Sequence, residues 1–209
     1  MPEGGFISAD QRGPAAVIPT GVAPSDDALL VLFANGEQAA ARELTERLAP
    51  RALGVAMRVL GDRAEAEDVA QEAMMRLWRM APDWQTGKAK VSTWLYRVTL
   101  NLCLDIKRRR RGGMARLDDV PDPPDPGESA AEHLQQTARA DALQAALETL
   151  PDRQREAVVL RHLEGLSNPE IAEIMEISTE AVESLTARGK RALSRELAGR
   201  KDELGYSDD

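Results

Sequence analysis

Residues 112–129 read GGMARLDDVPDPPDPGES, and no other stretch limits the folding of this chain so strongly. The Gly112-Gly113 pair and four prolines cannot continue a helix, and the interleaved acids have almost nothing to bury. The stretch reads as a flexible acidic linker, placed at 114–130. Whatever lies on either side must fold around its own partners, so two small domains are expected.

Both flanks carry a helical period. Ala, Leu, Glu and Arg alternate at steps of three and four, and only 3% of residues are aromatic while 43% are hydrophobic. The expected fold is therefore all-α: two small helical domains joined by the acidic, proline-rich linker. Residues 1–24, rich in Gly, Pro and Ala without apolar periodicity, read as a disordered arm. In the first domain, 25–113, helices are expected from Asp26 to Ala34, Glu37 to Ala49, Pro50 to Leu60, Asp62 to Ala81 and Ser92 to Arg111. The second domain, 131–200, reads as a helix from Ala131 to Leu150, another from Pro151 to Leu163, and a helical pair at about 168–195. Residues 201–209 form an acidic tail.

Several function classes find no support. Cys103 is the one cysteine and His133 and His162 the only histidines, which gives no zinc-ligand spacing. No nucleophile, metal or phosphate-loop pattern points to catalysis, so neither catalytic residues nor a cofactor is expected. There is no run of 18 apolar residues and no basic region followed by an apolar core at the N-terminus. The expectation is a cytoplasmic protein without membrane insertion. Cys103 lies in an apolar helical stretch and is expected to pack rather than to sense redox state.

The formal net charge of -8 comes mainly from linker and tail. Local patches set the field a ligand meets, so a polyanionic partner stays compatible with it. Three patches stand out. On the helix from Asp62, Ala66, Val69, Ala70, Ala73, Leu77 and Met80 share an apolar face, and Glu65, Asp68, Gln71 and Glu72 form an acidic stripe opposite. That stripe is either a solvated face or a docking surface for a basic partner helix. On the helix from Ser92, Val91, Leu95, Val98, Leu102 and Ile106 make the apolar stripe, while Trp94, Arg97, Asn101 and Arg108 line a neighbouring face. The helix ends in Lys107-Arg-Arg-Arg-Arg111, which compensates the macrodipole but exceeds what the dipole requires. Aromatic, basic and amide groups on one face suit a single strand, with bases stacked on rings and cations on phosphates. Just upstream, the polar loop Asp83 to Val91 carries Trp84, Lys88 and Lys90 and could receive an unstacked base.

The third patch lies in SNPEIAEIMEISTEAVESL, Ser167 to Leu185. Ser167 and Glu170 fit a capping box, Pro169 sits in the first turn, and Ile171, Ala172, Ile174 and Met175 form a buried face. After a turn over Glu176–Ser178, either Ser178 or Thr179 can cap a second helix with Val182, Leu185, Gly189 and Leu193 inward. This is a helix-turn-helix, whose second helix enters the major groove. Its outward face presents Glu180, Glu183, Ser184, Ala187, Arg188, Arg191 and Arg195. The two glutamates either stabilise the helix N-terminus or accept from cytosine N4.

Four ordered blocks together resemble the extracytoplasmic-function group of the sigma-70 family, the small initiation factors of bacterial RNA polymerase. They are SDDALLVLFANGEQAAARELTERLAP, DRAEAEDVAQEAMMRLWR, VSTWLYRVTLNLCLDIKRRRR and LPDRQREAVVLRHLEGLSNPEIAEIMEISTEAVESLTARGKRAL, spanning Ser25 to about Leu197. The resemblance implies that 25–113 is sigma region 2, with polymerase binding at about 62–81 and recognition and melting of the -10 element at about 83–111. It implies that 131–200 is region 4, reading the -35 element. By the same resemblance, Asp62, Glu65, Asp68, Gln71 and Glu72 would dock on core polymerase. Trp84, Lys88, Lys90, Trp94, Tyr96, Arg97, Asn101, Lys107 and Arg108 would engage -10 DNA. Thr179, Glu180, Glu183, Ser184, Arg188, Lys190 and Arg191 would engage -35 DNA. Core RNA polymerase, promoter DNA and an anti-sigma factor are the implied partners. The chain departs from the family pattern at Glu176, where a turn glycine is frequent, and at Glu183 and Leu185, where Lys and Arg are. A stand-alone helix-turn-helix regulator is the alternative, although such a protein needs neither the acidic stripe nor the basic-aromatic helix.

Overall fold

The structure is a computed structural model that describes residues 23–111 and 130–198. The arm, the linker and the tail lie, apart from their edges, outside the described residues. Among the described residues eight α-helices follow in order: α1 (Asp26–Ala34), α2 (Gln38–Leu60), α3 (Arg63–Met80), α4 (Val91–Arg111), α5 (Ala130–Glu148), α6 (Asp152–Val158), α7 (Asn168–Met175) and α8 (Thr179–Ala198). A 3-10 turn over Ala81–Asp83 follows α3, and α6 runs on into a π turn over Val159–Leu163.

Local chemistry explains most boundaries. Ser25 caps α1 by accepting from the Ala28 amide at 3.2 Å, and Asp62 caps α3 by accepting from the Glu65 amide at 3.0 Å. Gly61 ends α2 with φ 70°, a conformation that costs a residue without Cβ little. The expected break at Pro50 does not occur: α2 passes through it. Proline at 50 removes its own N–H and leaves the Glu46 carbonyl without that donor. Both residues are exposed, so water can serve the carbonyl, while Leu44, Leu48, Ala52, Val55 and Val59 continue one buried stripe past the proline.

Two apolar clusters organise the helices. One belongs to the first region alone: Leu29 and Leu30 of α1, Leu44 and Leu48 of α2, Met74 and Leu77 of α3, Leu95 of α4. The other joins the two regions. It contains Val55, Val59 and Leu60 of α2, Leu100 and Cys103 of α4, then Leu147, Leu150, Leu160, Ile171, Ile174 and Val182. The first region thus has a core of its own and also shares an apolar seam with the second. A fully buried leucine or valine contributes roughly 1.5–3 kcal/mol, whereas an exposed ion pair contributes about 0–1 kcal/mol. The seam therefore dominates the cohesion between regions.

Arg155 fastens the seam with polar contacts. Only 6% exposed, it donates through Nε to Leu147 O at 2.7 Å, and through its terminal nitrogens to Val59 O at 2.8 Å, Glu148 O at 2.7 Å and Leu150 O at 3.2 Å. It thus serves carbonyls at the ends of α5 and α2 and in the turn after α5, where helical amide donors run out. Burial lowers its affinity for the proton, and the carboxylates of Asp152, Glu148 and Glu156 oppose that effect.

Candidate nucleic-acid interface

On α3 the acidic stripe divides. Asp68 and Gln71 are exposed, and Glu72 accepts from Arg76 at 2.8 Å, a bond that lowers its pKa. Asp62 does not share that surface. It is 7% exposed, caps its helix and lies 3.1 Å from the Arg110 guanidinium, which also contacts Glu65 at 2.6 Å. Capping and ion pairing draw both carboxylates toward the end of α4, away from the stripe that Asp68 and Gln71 open to solvent.

The polar loop before α4 is fixed against α1. The Trp84 indole N–H donates to Asp27 at 3.0 Å, and the ring is half-buried. Lys88 stays exposed. On α4, Asn101 and Arg108 are exposed, with Arg108 2.9 Å from Asp105, and Trp94 is half-buried against the first cluster.

The remaining residues expected on the α4 face contact the second region, Tyr96 buried, Arg97 and Lys107 half-buried and Lys90 still exposed. Tyr96 is 2% exposed, and its hydroxyl donates to Glu164 at 2.5 Å; burial and that bond raise its pKa. Lys90 donates to Glu170 at 2.6 Å. Arg97 donates to the Glu173 carbonyl at 2.7 Å, with the carboxylates of Glu173 and Glu176 at 3.9 and 3.8 Å. Lys107 is half-buried and donates to Asp152 at 2.5 Å, and Arg111 pairs with the same carboxylate. The π turn matters here: the Glu164 amide reaches back five residues to Val159 O at 3.1 Å, and Glu164 leaves that wide turn on the side of α4.

The helix-turn-helix forms as α7 and α8. Glu170 accepts from the Ser167 amide at 2.9 Å and the Ser167 hydroxyl at 2.7 Å. Ser178, rather than Thr179, caps α8 by accepting from the Ala181 amide at 3.2 Å. Glu176 occupies the turn with φ 55° and ψ 47°, the left-handed region that a glycine adopts without strain. Gly189 lies where α8 meets α6, and a Cβ there would stand 2.5 Å from Val158 Cγ2.

On the exposed side of α8 the two glutamates differ. Glu180 has its pKa lowered by its own backbone amide and by the Ser178 hydroxyl, so it belongs to the helix N-terminus. Glu183 accepts from the Asn168 side-chain amide at 3.3 Å and projects away from that terminus. Thr179 is half-buried, and Ser184, Arg188, Lys190 and Arg191 are exposed. The later turns border a groove of about 740 Å³ lined by Gln154, Arg188, Lys190, Arg191 and Arg195, suited to phosphate oxygens.

Cys103 is fully buried and its thiol is pushed up to about 12 by burial, which suppresses the reactive thiolate. Among the described residues, no group of His, Cys, Asp and Glu could hold a metal ion, and no helix is long and apolar enough to cross a membrane.

Sequence reasoning missed the acceptors: Glu164, Glu173, Glu176 and Asp152 carry no local signal, because their partners lie 41 to 79 residues away. The chain matches the family models for Sigma-70 region 2 over residues 44–112 and for Sigma-70, region 4 over residues 140–193. It is 37% identical over 195 residues to the ECF RNA polymerase sigma factor SigE of Mycolicibacterium smegmatis, covering 89% of this chain and 74% of that one. It is 29% identical over 172 residues to the ECF RNA polymerase sigma factor SigW of Bacillus subtilis, covering 78% and 91%. Among solved structures it is similar to CnrH in complex with the cytosolic domain of CnrY, with TM-score 0.62, 28% identity and coverage of 83% and 97%. The fold is also shared with the sigma factor RpoE of Bartonella quintana, solved with the anti-sigma factor NepR, at TM-score 0.60 and 21% identity over 75% and 96% of the chains.

Proposed function

The chain belongs to the extracytoplasmic-function group of the sigma-70 family, and from that premise we propose how its surfaces divide promoter recognition between them. It is a sigma factor: it binds core RNA polymerase, recognises promoter -35 and -10 elements and promotes DNA opening. It supplies no catalytic group of its own and works in the cytoplasm, where polymerase and promoter are.

The residue assignments follow from surface chemistry. The stripe of Asp68, Gln71 and Glu72 docks on a basic element of core polymerase, and the half-buried Glu65 supports its edge. Lys88, Lys90, Trp94, Arg97, Asn101 and Arg108 engage the -10 strand, and the loop from Asp83 receives an unstacked base. On α8, Arg188, Lys190 and Arg191 hold phosphates while Glu183 reads a base edge. Glu180 stays with the helix terminus.

One observation carries this division best: an exposed acidic stripe on α3 stands beside an aromatic and basic face on α4, and a capped recognition helix follows in the second region. The sigma factors of known structure cited above were solved with protein partners, which supports an anti-sigma partner here. Run-off transcription with purified core polymerase tests the assignment. Initiation from -35 and -10 promoters is expected to require α8 and the α4 face together. A protein that shifts duplex DNA alone but never supports initiation is a stand-alone regulator instead.

A further inference from the structure

We infer that Asp27 of α1 is a specificity-determining residue for the base that the loop from Asp83 receives: its carboxylate accepts from the exocyclic amino group of an unstacked cytosine or adenine. The inference rests on the reading of that loop as the receiver of a -10 base.

It starts from a contact between segments 57 residues apart. The Trp84 indole N–H donates to Asp27 Oδ1 at 3.0 Å, and the ring is half-buried against the cluster that holds Leu29 and Leu30 of α1. Helix α1 and the loop are thereby packed as one unit, so Asp27 keeps its place relative to the loop. The two adjacent acids of α1 have different duties. Asp26 pairs with Arg47 at 3.2 Å, whereas Asp27 has no ion pair among the described residues and takes a neutral donor instead. An ionised carboxylate accepts at both oxygens, so the indole on Oδ1 orients the group and leaves Oδ2 for a second donor.

The position of Asp27 says what that donor is. With Thr86, Gly87, Lys88 and Lys90 it lines a cleft of about 360 Å³, and Glu170 and Glu173 of α7 stand on the same cleft. Of the three carboxylates, Asp27 alone belongs to the region that carries the loop. At Gly87 the loop turns with φ 88°, and no side chain adds bulk there. A base taken out of its stack is read on its Watson–Crick edge. Cytosine and adenine offer there an amino donor beside a ring-nitrogen acceptor, which suits a carboxylate together with the ammonium groups of Lys88 and Lys90. Thymine and guanine offer a carbonyl oxygen in place of the amino group. Two acceptors would then face each other, and neither would be served.

Holoenzyme assembled from the full chain and purified core polymerase tests this on fluorescein-labelled fork-junction promoters whose single-stranded -10 positions are varied one at a time. At one position an amino base is expected to bind about tenfold more tightly than a keto base. Removing only the amino group, with pyrimidin-2-one for cytosine or purine for adenine, is expected to cost the same factor and shows which of the two bases is read. In Asp27→Ala that cost is expected to fall below about twofold at this position alone, with helix content unchanged. Trp84→Phe keeps the ring and removes the N–H that orients the carboxylate, so the discrimination is expected to shrink there too. A parent protein indifferent to the amino group at every position overturns the inference, and so does an Asp27→Ala protein that keeps the tenfold cost. Lys88→Glu separates the causes. Weaker binding of all forks alike, with Asp27→Ala behaving as the parent, leaves the loop on the -10 strand without a role for Asp27; parent-like binding by Lys88→Glu removes both.

Discussion

The Lys90 ammonium lies 2.6 Å from a carboxylate oxygen of Glu170, which stands 80 residues further along the chain. The Glu170 carboxylate also accepts from the Ser167 amide and the Ser167 hydroxyl, so one side chain joins the start of α7 to the base of α4.

That triple role makes Glu170 pH-sensitive. Lys90 first, then the Ser167 hydroxyl and amide, hold its carboxyl down to about 2 from an ordinary 4.5. A carboxyl depressed on folding contributes fully above its unfolded value and loses that contribution as pH falls through its folded one. Other charges near the site, Asp27, Lys88 and Glu173, line the same cleft. The melting-temperature difference between the parent and Glu170→Gln is expected to be constant from pH 7 to about 5 and to shrink between about 4.5 and 2. A difference that ignores pH would show that Glu170 carries no such linkage.

Asp68→Lys reverses charge on the exposed part of the α3 stripe without touching a buried group. The expected result is an unchanged circular dichroism spectrum and loss of core polymerase affinity by roughly tenfold or more, since like charges facing each other cost several kcal/mol. Native affinity for core polymerase in a binding titration removes the stripe from the interface.

Glu183→Lys is expected to change which -35 sequence is preferred. One good base contact supplies about 1–3 kcal/mol of discrimination, whereas an added phosphate contact strengthens all sequences alike. Selection of transcribed promoter fragments distinguishes the two: a uniform gain across sequences means that Glu183 reads nothing. Asn168→Ala, which frees the Glu183 carboxylate from its 3.3 Å donor, is expected to blur the preference rather than move it.

Arg155→Met keeps volume and removes the guanidinium from four backbone carbonyls. The Leu147 and Val59 carbonyls keep the Leu150 amide and Lys107, but those of Glu148 and Leu150 lose this donor, which is expected to destabilise the protein by about 2–4 kcal/mol in urea unfolding. A loss under about 0.5 kcal/mol would mean that water replaces the guanidinium at the seam.

Much of this was legible beforehand. The alternation of apolar residues at three and four positions located the helices, and Ser167 with Glu170 marked the start of α7 through groups that cap backbone donors locally. Pro50 misled because a proline reads as a break, yet its consequence depends on which side of the helix meets solvent. Glu180 and Glu183 looked equivalent until their neighbours were known.

The sequence by itself determined the all-α character, the helix-turn-helix and the family, because these depend on periodicity, capping and ordered motifs within short windows. Only the tertiary structure decided that the two regions share an apolar seam, that Asp62 and Tyr96 are buried, and that Lys90, Arg97 and Lys107 meet carboxylates of the second region. The physical reason is range. A charge on a helix face has the same sequence signature whether water, DNA or a distant glutamate neutralises it, and only packing brings residues 45 to 80 positions apart within hydrogen-bond distance.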